Sequence, residues 1–353
     1  MKRGICSILW LVSGLAAAAA VAGPPYDAIY AFGDSLTDTG NEPAEPLAHY
    51  QGRWSNGPLW IEYLSQRFGF AYNPGNNFAH SGAQCDDTYI QVTNFHPAAD
   101  LAQSLFVVWA GGNDFLQEYD NLGFDNAAWN RQIAYSVGNL SNAVVNLQGK
   151  GARFILVPNT VDLTEIPTLN YLPGFLRAYL RGKVQQFDSE LDAALDGLQA
   201  AFPDLKLFRC DTFAAEKAIL ASAAAYGFTE WNIDALADAR LLDKSFDGPG
   251  ANYVFWDPVH PTTKTHAIVA DWFHAAVAPM HPRLALKRDG APLELACSQL
   301  HVTRNYTLQR TTDLTTWDNV QTFLCITPGQ MLKITNEVPH ASFRLNWTPS
   351  SGR

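Results

Sequence analysis

Short apolar runs that alternate with long amphipathic segments are the feature that most constrains the fold of this chain. The runs contain few polar side chains, and the first three stop at or beside glycine or proline, which is typical of strands buried on both faces; they are residues 27–32 (DAIYAF), 104–110 (SLFVVWA), 152–158 (ARFILVP) and 205–208 (LKLF). The intervening segments have helical spacing of apolar residues: 58–68, 127–147, 172–202, 212–226 and 262–277. Strands that alternate with helices predict a parallel sheet covered by helices on both faces.

The N-terminus has the pattern of a secretory signal peptide. Lys2 and Arg3 precede an apolar stretch over residues 5–20, and Ala20-Val21-Ala22 forms a small-x-small cleavage site. A transmembrane helix needs about 20 apolar residues, and this stretch is shorter and rich in alanine, so it does not fit a membrane anchor. We therefore predict that residues 1–22 are removed and that the mature chain is secreted, extracellular or periplasmic, without a transmembrane segment.

The composition excludes several classes of protein. Apolar residues make up 47% of the chain, which is enough to bury a core, whereas charged residues make up only 16%. The chain has 24 Lys+Arg against 34 Asp+Glu, a net charge of -10. An acidic chain without a basic cluster is a poor match for a phosphate backbone, so no nucleic-acid partner is expected. We expect a monomer.

Four cysteines remain once Cys6 is removed with the signal peptide. An even number in an oxidising compartment predicts disulfides, and the absence of a CxxC pair argues against a zinc site. Three pairings are open. Cys297–Cys325 is favoured because both residues fall in the C-terminal region, which leaves Cys85–Cys210 as the other bridge.

The pattern changes at residues 278–282 (APMHP), and short alternating runs separated by turn residues follow. They predict a small all-β module, a sandwich. We therefore divide the mature chain into a large domain, residues 23–280, and an accessory module, residues 281–353. Residues 306–317 (YTLQRTTDLTTW) resemble the YxLQxSTDLxxW pattern of small β modules that end secreted bacterial proteins. Because aromatic faces pack against sugar rings, the chain's 10 tryptophans make a polysaccharide or another surface a candidate contact of this module.

Four islands of polar and small residues lie where predicted elements end or begin: residues 32–41 (FGDSLTDTGN), 77–83 (NFAHSGA), 109–114 (WAGGND) and 256–262 (WDPVHPT). Taken singly, each has an ordinary explanation as a turn, a strand end or a helix cap. Ser35, however, stands at the carboxyl end of a strand, where a nucleophile is presented. Prolines restrict the backbone around His260, and Asp257 is spaced to orient its imidazole.

Taken together, the four islands resemble the motif blocks of the GDSL (SGNH) family of esterases and lipases, over residues 26 to about 278. Residues 56–64 (NGPLWIEYL) match its secreted branch, which has the pattern FGDSxxDTGN and includes bacterial and plant lipases and carbohydrate acetylesterases. The resemblance implies a three-layer α/β/α sandwich with a parallel, flavodoxin-like sheet. It also implies a serine ester hydrolase that needs no cofactor and no metal.

The resemblance implies a role for each matched residue. Ser35 would be the nucleophile, His260 the general base, and Asp257 the group that fixes the histidine tautomer. The backbone N–H groups of Ser35 and Gly82 and the side chain of Asn113 would form the oxyanion hole. The remaining matched polar residues are interpreted as holding loops, because Asx side chains bond nearby backbone; they are Asp34, Asp38, Asn41 and Asp114.

His80 departs from the family pattern, which more often has a small or apolar residue there. We interpret it as a surface residue and rank it below His260 as a base, since His260 has the paired aspartate.

Residues 159–176, rich in Thr and Pro, are predicted to border the substrate pocket. No long apolar lid is evident, so esters of short acyl groups, including acetyl groups on small molecules or on polymers such as carbohydrates, are the first expectation. Lipase or phospholipase activity on longer acyl lipids comes second.

Three other functions stay open. A divalent cation for phosphoester cleavage could be held by Asp34, Asp38, Asp114, Asp257 and His260, and EDTA sensitivity would identify that mechanism. A polysaccharide-binding protein with a vestigial catalytic domain is a second alternative. Acyl transfer to an alcohol is a third, because the same acyl-enzyme serves both reactions. The chain contains neither G-x-S-x-G nor H-E-x-x-H.

Overall fold

The computed structural model describes residues 26–45, 47–97, 101–278, 283–287, 293–298, 300, 305–313, 315–325, 329–334 and 342–347. The predicted signal peptide, residues 1–22 with Cys6, lies outside the described residues.

The large domain is built on a parallel sheet of four strands in the order β1-β2-β3-β4. The strands are β1 (Ala28–Gly33), β2 (Ser104–Trp109), β3 (Phe154–Pro158) and β4 (Lys206–Cys210). All six residues of β2 are buried, which explains its uninterrupted apolar sequence. In the register of the sheet, Gly33 at the end of β1 pairs with Trp109 at the end of β2.

A fifth strand position is present on the other side of β1, reduced to one parallel bridge between Ala31 and Asn77. The N–H of Phe78 donates to Ala31 O (2.8 Å), and the N–H of His80 donates to Gly33 O (3.0 Å). Because this segment comes between β1 and β2 in the chain, the spatial order of the five positions is 2-1-3-4-5. That is the flavodoxin-like order, so the predicted sheet is confirmed.

Eight helices accompany the sheet in the described part of the chain: α1 (Trp60–Phe68), α2 (Cys85–Asn94), α3 (Gly112–Leu116), α4 (Tyr119–Leu122), α5 (Asn126–Gly149), α6 (Gly174–Ala201), α7 (Thr212–Ala221) and α8 (Thr263–Val277). Single 3₁₀ turns occur at Tyr50–Gly52, Pro74–Asn76, Ala223–Tyr226 and Pro249–Asn252. None of the helices in these ranges is long and apolar enough to cross a membrane.

Aromatic contacts show that the helices cover both faces of the sheet. Phe32 of β1 packs against Phe95 at the end of α2, with ring centroids 5.6 Å apart. On the opposite face, Trp109 of β2 packs against Trp60 of α1 (6.1 Å) and Phe273 of α8 (5.1 Å). Since α1 packs on α8, and α5 packs on both α2 and α6, the domain has the three predicted layers.

Two loop segments bring distant parts of this region together. Asn56 does not cap α1, whose first residue follows Leu59. Its Oδ1 instead accepts the N–H of Thr263 (2.8 Å), the first residue of α8, because the chain folds the start of α8 against this loop. Residues 253–256 form no strand, only isolated bridges from Tyr253 and Phe255.

The C-terminal region is all-β, as predicted. Its strands are β5 (Arg283–Lys287), β6 (Leu293–Ser298), β7 (Asn305–Thr311), β8 (Asp318–Leu324), β9 (Gln330–Ile334) and β10 (Ser342–Trp347). They form two antiparallel sheets, β10-β7-β8 and β5-β6-β9. Tyr306 and Leu345 from one sheet share a buried core with Leu295 and Leu332 from the other.

The cysteines of the described chain are thiols, so neither predicted disulfide is present in the structure. Cys85 lies beside the end of β2, where its N–H donates to Asp114, whereas Cys210 ends β4, two strands further across the sheet. Two strand spacings are about 10 Å, and a disulfide requires Cα atoms within about 7 Å, so the Cys85–Cys210 pairing is wrong. Cys297 and Cys325 lie in the same small core.

Candidate active site

The turn after β1 presents the serine. Gly33 has a φ of +150°, and a Cβ there would lie 2.1 Å from the carbonyl oxygen of Trp109, so only glycine permits β1 to end against β2. The carbonyl of Asp34 then accepts the N–H groups of Thr37 (3.0 Å) and Asp38 (2.9 Å). Ser35 therefore lies in a tight turn at the carboxyl edge of the sheet.

The three residues assigned to the catalytic triad lie in a continuous line of hydrogen bonds. Ser35 Oγ is 2.8 Å from His260 Nε2. His260 Nδ1 is 2.9 Å from Asp257 Oδ1 and 2.8 Å from Asp257 Oδ2. All three side chains are buried. The imidazole can therefore accept the serine proton at Nε2 while Nδ1–H faces the carboxylate.

The loop before α8 fixes the base and its partner. Asp257 Oδ1 accepts the N–H groups of Val259 (2.9 Å) and His260 (2.8 Å). Ser55 Oγ donates to Pro261 O (2.9 Å), next to the Asn56 contact with α8. Burial alone would raise the pKa of Asp257, but the charge and hydrogen bonds of His260, with further hydrogen bonds from His49 and Val259, hold it well below its usual range.

His49 and Trp54 complete this cluster, and no sequence pattern pointed to either residue. His49 Nε2 lies 3.0 Å from Asp257 Oδ2. The indole of Trp54 packs against both imidazoles, 4.8 Å from His49 and 5.0 Å from His260. The residues matched to known motifs thus account for only part of the buried site.

Of the groups assigned to the oxyanion hole, Asn113 lines the same cavity as Ser35, and Gly82 lies next to Ala83, whose carbonyl Asn113 bonds. Gly82 has a φ of +80°, a conformation that favours glycine. Asn113 Nδ2 donates to Ala83 O (3.0 Å) and Gln117 Nε2 donates to Gly82 O (2.9 Å), so α3 and the residue after it fix this loop. Within the described chain, the N–H groups of Ser35 and Gly82 make no hydrogen bond. They are available to an oxyanion.

The other matched polar residues hold loops, as predicted. Asp38 accepts the backbone N–H groups of Gly40 (2.8 Å), Asn41 (2.7 Å) and Glu42 (3.0 Å) with its two carboxylate oxygens, and that of Ser81 (2.9 Å) in the second motif block. Asn41 Nδ2 donates to the carbonyls of Asn77 and Ala79, both at 2.9 Å. Asp114 accepts the N–H of Cys85 (3.0 Å) and the hydroxyl of Ser136 (2.5 Å).

Asp34 also accepts a backbone N–H, that of Leu36 (3.0 Å), but its carboxyl is buried beside the triad. Burial raises the pKa of Asp34 to about 6, with hydrogen bonding and His260 acting in the other direction. His80, in contrast, is a surface residue, with a side chain 48% exposed and 3.7 Å from Glu42. It makes no contact with Ser35 and is not a rival base.

An apolar cavity of about 90 Å³ opens beside Ser35, Asn113 and His260. Its walls include Thr160, Val161, Leu163 and Ile166, so the segment 159–176 borders it as predicted. The wall also includes the apolar side chains of Ile219 on α7 and of Val269 and Trp272 on α8. One acidic residue, Glu216, lines the cavity as well. Burial raises the pKa of Glu216 well above its usual value.

The part of the chain described here contains no cluster of His, Cys, Asp and Glu that could hold a metal ion.

Comparisons with curated proteins find several relatives of this chain. A thermolabile hemolysin of Vibrio parahaemolyticus is 26% identical over 274 residues, which are 69% of this chain and 62% of the hemolysin. This chain therefore spans less than two thirds of the hemolysin's length. A phosphatidylcholine-sterol acyltransferase of Aeromonas hydrophila is 25% identical over 77% of this chain and 96% of its own length. Acetylajmalan esterase 2 of Rauvolfia serpentina is 24% identical over 70% of this chain and 89% of its own.

Among solved structures, an acetylxylan esterase from Geobacillus stearothermophilus matches with a TM-score of 0.40 and 18% identity, over 71% of this chain and 94% of its own. The family model of the GDSL-like lipase/acylhydrolases matches residues 29–273, more than half of the chain. The matched range contains all the residues that the sequence assigns to a triad and an oxyanion hole. Because the match extends over more than half of the chain, the chain belongs to the GDSL-like lipase/acylhydrolase family, a family of carboxylic ester hydrolases.

Proposed function

We propose that the protein is a secreted serine hydrolase that cleaves carboxylic esters of short acyl groups through an acyl-enzyme on Ser35. The observation that carries the proposal is the buried line of hydrogen bonds from Ser35 Oγ through His260 to Asp257, beside a small apolar cavity. A hydroxyl is a weak nucleophile at neutral pH, and this arrangement supplies the adjacent base that it needs.

The reaction follows from the positions of these groups. His260 Nε2 takes the Ser35 proton as Oγ attacks the ester carbonyl, and the N–H groups of Ser35 and Gly82 with the Asn113 amide stabilise the oxyanion. The C–O bond to the alcohol then breaks, and the alcohol leaves with the proton from His260. Water repeats the sequence: it gives its proton to His260 and attacks the acyl-enzyme. Ser35 recovers the proton as the acid is released.

The cavity supports a short acyl group. Its volume of about 90 Å³ is well below the roughly 300–1,000 Å³ of sites that hold drug-sized ligands. Its walls are mostly apolar, which suits an acyl chain, and its small volume favours a short acyl group over a palmitoyl chain. Acetylajmalan esterase, the plant relative, is consistent with short acyl groups.

Acyl transfer to an alcohol is the second candidate. It is favoured by the relative named as a phosphatidylcholine-sterol acyltransferase, 96% of whose length is matched. The acyl-enzyme on Ser35 is common to both reactions, and they differ only in the group that attacks it. Product analysis in the presence of an alcohol separates them: an ester of the added alcohol indicates transfer, and free acid alone indicates hydrolysis.

Secretion and the division into two domains are part of the same proposal. Residues 1–22 have the sequence pattern of a signal peptide. Most of the buried apolar residues between Tyr26 and Val277 form one large core, and those between Leu295 and Leu345 form another. This supports a catalytic domain over residues 23–280 and an accessory module over residues 281–353, which we propose contacts a polysaccharide or another surface.

The decisive test compares Ser35→Ala with wild type on chromogenic esters from acetate to palmitate, each with and without EDTA. We expect wild type to hydrolyse the short esters, Ser35→Ala to lose at least about 10³-fold in kcat, and EDTA to have no effect. Equal activity of the variant and wild type, or no activity on any ester, would overturn the triad assignment. Loss of activity with EDTA would favour a metal mechanism.

The cavity is tested by filling it. Val161→Phe places a larger side chain in the wall beside Ser35, and we expect it to lower kcat/KM for butyrate at least about tenfold more than for acetate. The matched control is Val145→Phe on the exposed surface of α5, which leaves the ratio unchanged. Equal losses on both esters would show that the acyl group binds elsewhere.

A further inference from the structure

His49 is a buried histidine that the reaction described above does not use. It is 6% exposed and lies 208 residues from Asp257 in the sequence, yet its Nε2 is 3.0 Å from Asp257 Oδ2. We propose that His49 is a positioning residue: its Nε2–H fixes the second oxygen of the Asp257 carboxylate, which sets how His260 faces Ser35 and how tightly it holds a proton. This inference rests on the proposed function, since it concerns the same triad.

The hydrogen bonds of Asp257 show why a fourth donor matters. Oδ1 accepts two backbone N–H groups, from Val259 and His260, as well as facing the His260 ring. Oδ2 has only the His260 ring and His49. Without His49, Oδ2 would have no donor of its own, because it shares the single N–H of His260 Nδ1 with Oδ1. The carboxylate would then lack a contact that opposes its rotation.

His49 itself is held in place. Its backbone N–H donates to Glu45 O (3.0 Å). Its ring Nδ1 lies 3.3 Å from the same carbonyl oxygen, a contact that is a hydrogen bond only when Nδ1 also carries a proton. The Trp54 indole covers the ring with centroids 4.8 Å apart. Nε2 faces a carboxylate, which only accepts hydrogen bonds, so Nε2 carries a proton. The donor is thus fixed in direction by the surrounding chain.

This contact has a predictable effect on the base. A donor on Oδ2 neutralises part of the negative charge of Asp257. Removing the donor leaves a carboxylate that attracts the His260 proton more strongly, so His260 holds its proton to higher pH. The acid limb of kcat/KM, where the base must be unprotonated, would move toward alkaline pH by about one unit. A side chain that only filled space would not move it.

Other titratable groups face the pair and are unchanged by substitutions at residue 49. Asp34 and His266 act electrostatically with His260, and Asp234 acts with Asp257. The carboxylate of Glu45 accepts the N–H groups of Leu47 (3.0 Å) and Ala48 (2.9 Å) and lies at the surface. A difference between variants at position 49 therefore reports the His49 contact.

The experiment compares three variants with wild type by two readouts. His49→Leu fills the space without a donor, His49→Gln keeps an N–H near the position of Nε2, and His80→Leu is the control for loss of a histidine outside the triad. The first readout is the pH profile of kcat/KM on an acetate ester. The second is the NMR titration of the His260 imidazole, which requires no turnover.

In His49→Leu, we expect the midpoint of the acid limb of kcat/KM and the midpoint of the His260 NMR titration each to rise by about one pH unit, with kcat reduced about tenfold. In His49→Gln, both midpoints should return toward the wild-type values. His80→Leu should match wild type. If His49→Leu does not fold, His49→Asn, which is too short to reach Oδ2, replaces it. Unchanged midpoints in the variants without the donor overturn the inference even if Ser35→Ala is inactive. Failure of the proposed function instead shows as ester hydrolysis that survives Ser35→Ala.

Discussion

At the scale of the residue, the oxyanion hole depends on side chains that hold a loop as well as on those that face the substrate. Asn113 has two amide N–H groups: one bonds Ala83 O, and the other remains available beside Ser35. Gln117 bonds the neighbouring carbonyl of Gly82 without lining the cavity. Both residues therefore hold the loop, and only Asn113 also lines the cavity beside Ser35.

Asn113→Ala is expected to lower kcat by about 10²–10³-fold with little change in KM, because the lost donor acts on the charge that develops in the transition state. Steady-state kinetics on an acetate ester measure both constants. Gln117→Ala should lower kcat far less, and Asn121→Ala, an exposed asparagine on α4, should have no effect. Equal losses in Asn113→Ala and Gln117→Ala would mean that Asn113 acts only through the loop.

At the scale of the element, a partly buried carboxyl on α6 holds the loop that follows β3. Asp188 Oδ1 accepts the N–H of Thr160 (2.9 Å), next to the cavity wall. Burial raises the pKa of Asp188 to about 8, with nearby carboxylates adding to the effect. Between about pH 4 and pH 8 the native state thus binds a proton that the unfolded state has lost. Stability must fall as pH rises through this range.

Asp188→Asn should therefore raise Tm, by an amount that is small near pH 5 and grows up to about pH 8–9. The asparagine keeps an oxygen for the Thr160 N–H but has no proton to lose. Thermal unfolding at several pH values tests this. Asp196→Asn on the same helix, where the carboxylate is exposed beside Arg209, should show no such gain. A Tm difference independent of pH would contradict the assignment.

Elements with a strong apolar pattern could be predicted from the sequence, and those held by tertiary contacts could not. β2 and β3 are buried on both faces, so their sequences are continuous apolar runs. α2 was not predicted, because its sequence, CDDTYIQVTN, has only a weak helical pattern. It is held instead by contacts such as Gln91, which bonds both the N–H and the C=O of Gly33 (2.9 Å each).

The same distinction applies to the site. Ser35, Asp257 and His260 lie in short motifs whose residue types point to acyl transfer. His49 is a lone histidine with no neighbouring pattern, and only folding brings it to Asp257. The pairing of the cysteines was predicted from their positions in the chain. Those positions do not give the distance between two cysteines across the sheet.

At the scale of the whole molecule, the described residues form two separate cores of unequal size, plus a small cluster around Trp256. Leu324 of the C-terminal region packs against the large core. Different cores with few shared residues need not unfold together. Unfolding enthalpy scales with the number of residues, so the large core should give the larger heat effect.

Calorimetry is expected to resolve two transitions. A phosphonate that bonds covalently to Ser35 should raise the temperature of the larger transition and leave the smaller one in place, because it binds only the folded large domain. Ser35→Ala treated in the same way should show no shift. A single transition that moves as a whole would show that the contact at Leu324 couples the two parts.

The position of Trp54 between two imidazoles also gives the site its own optical signal. An excited indole transfers an electron to a protonated imidazole in contact with it, which shortens the emission lifetime. Trp54 is 4.8 Å from one such ring and 5.0 Å from the other. Its emission, isolated as the difference between wild type and Trp54→Phe, should therefore dim as either histidine gains a proton. The charge state of the triad can thus be followed by fluorescence in the resting enzyme, before any substrate is chosen.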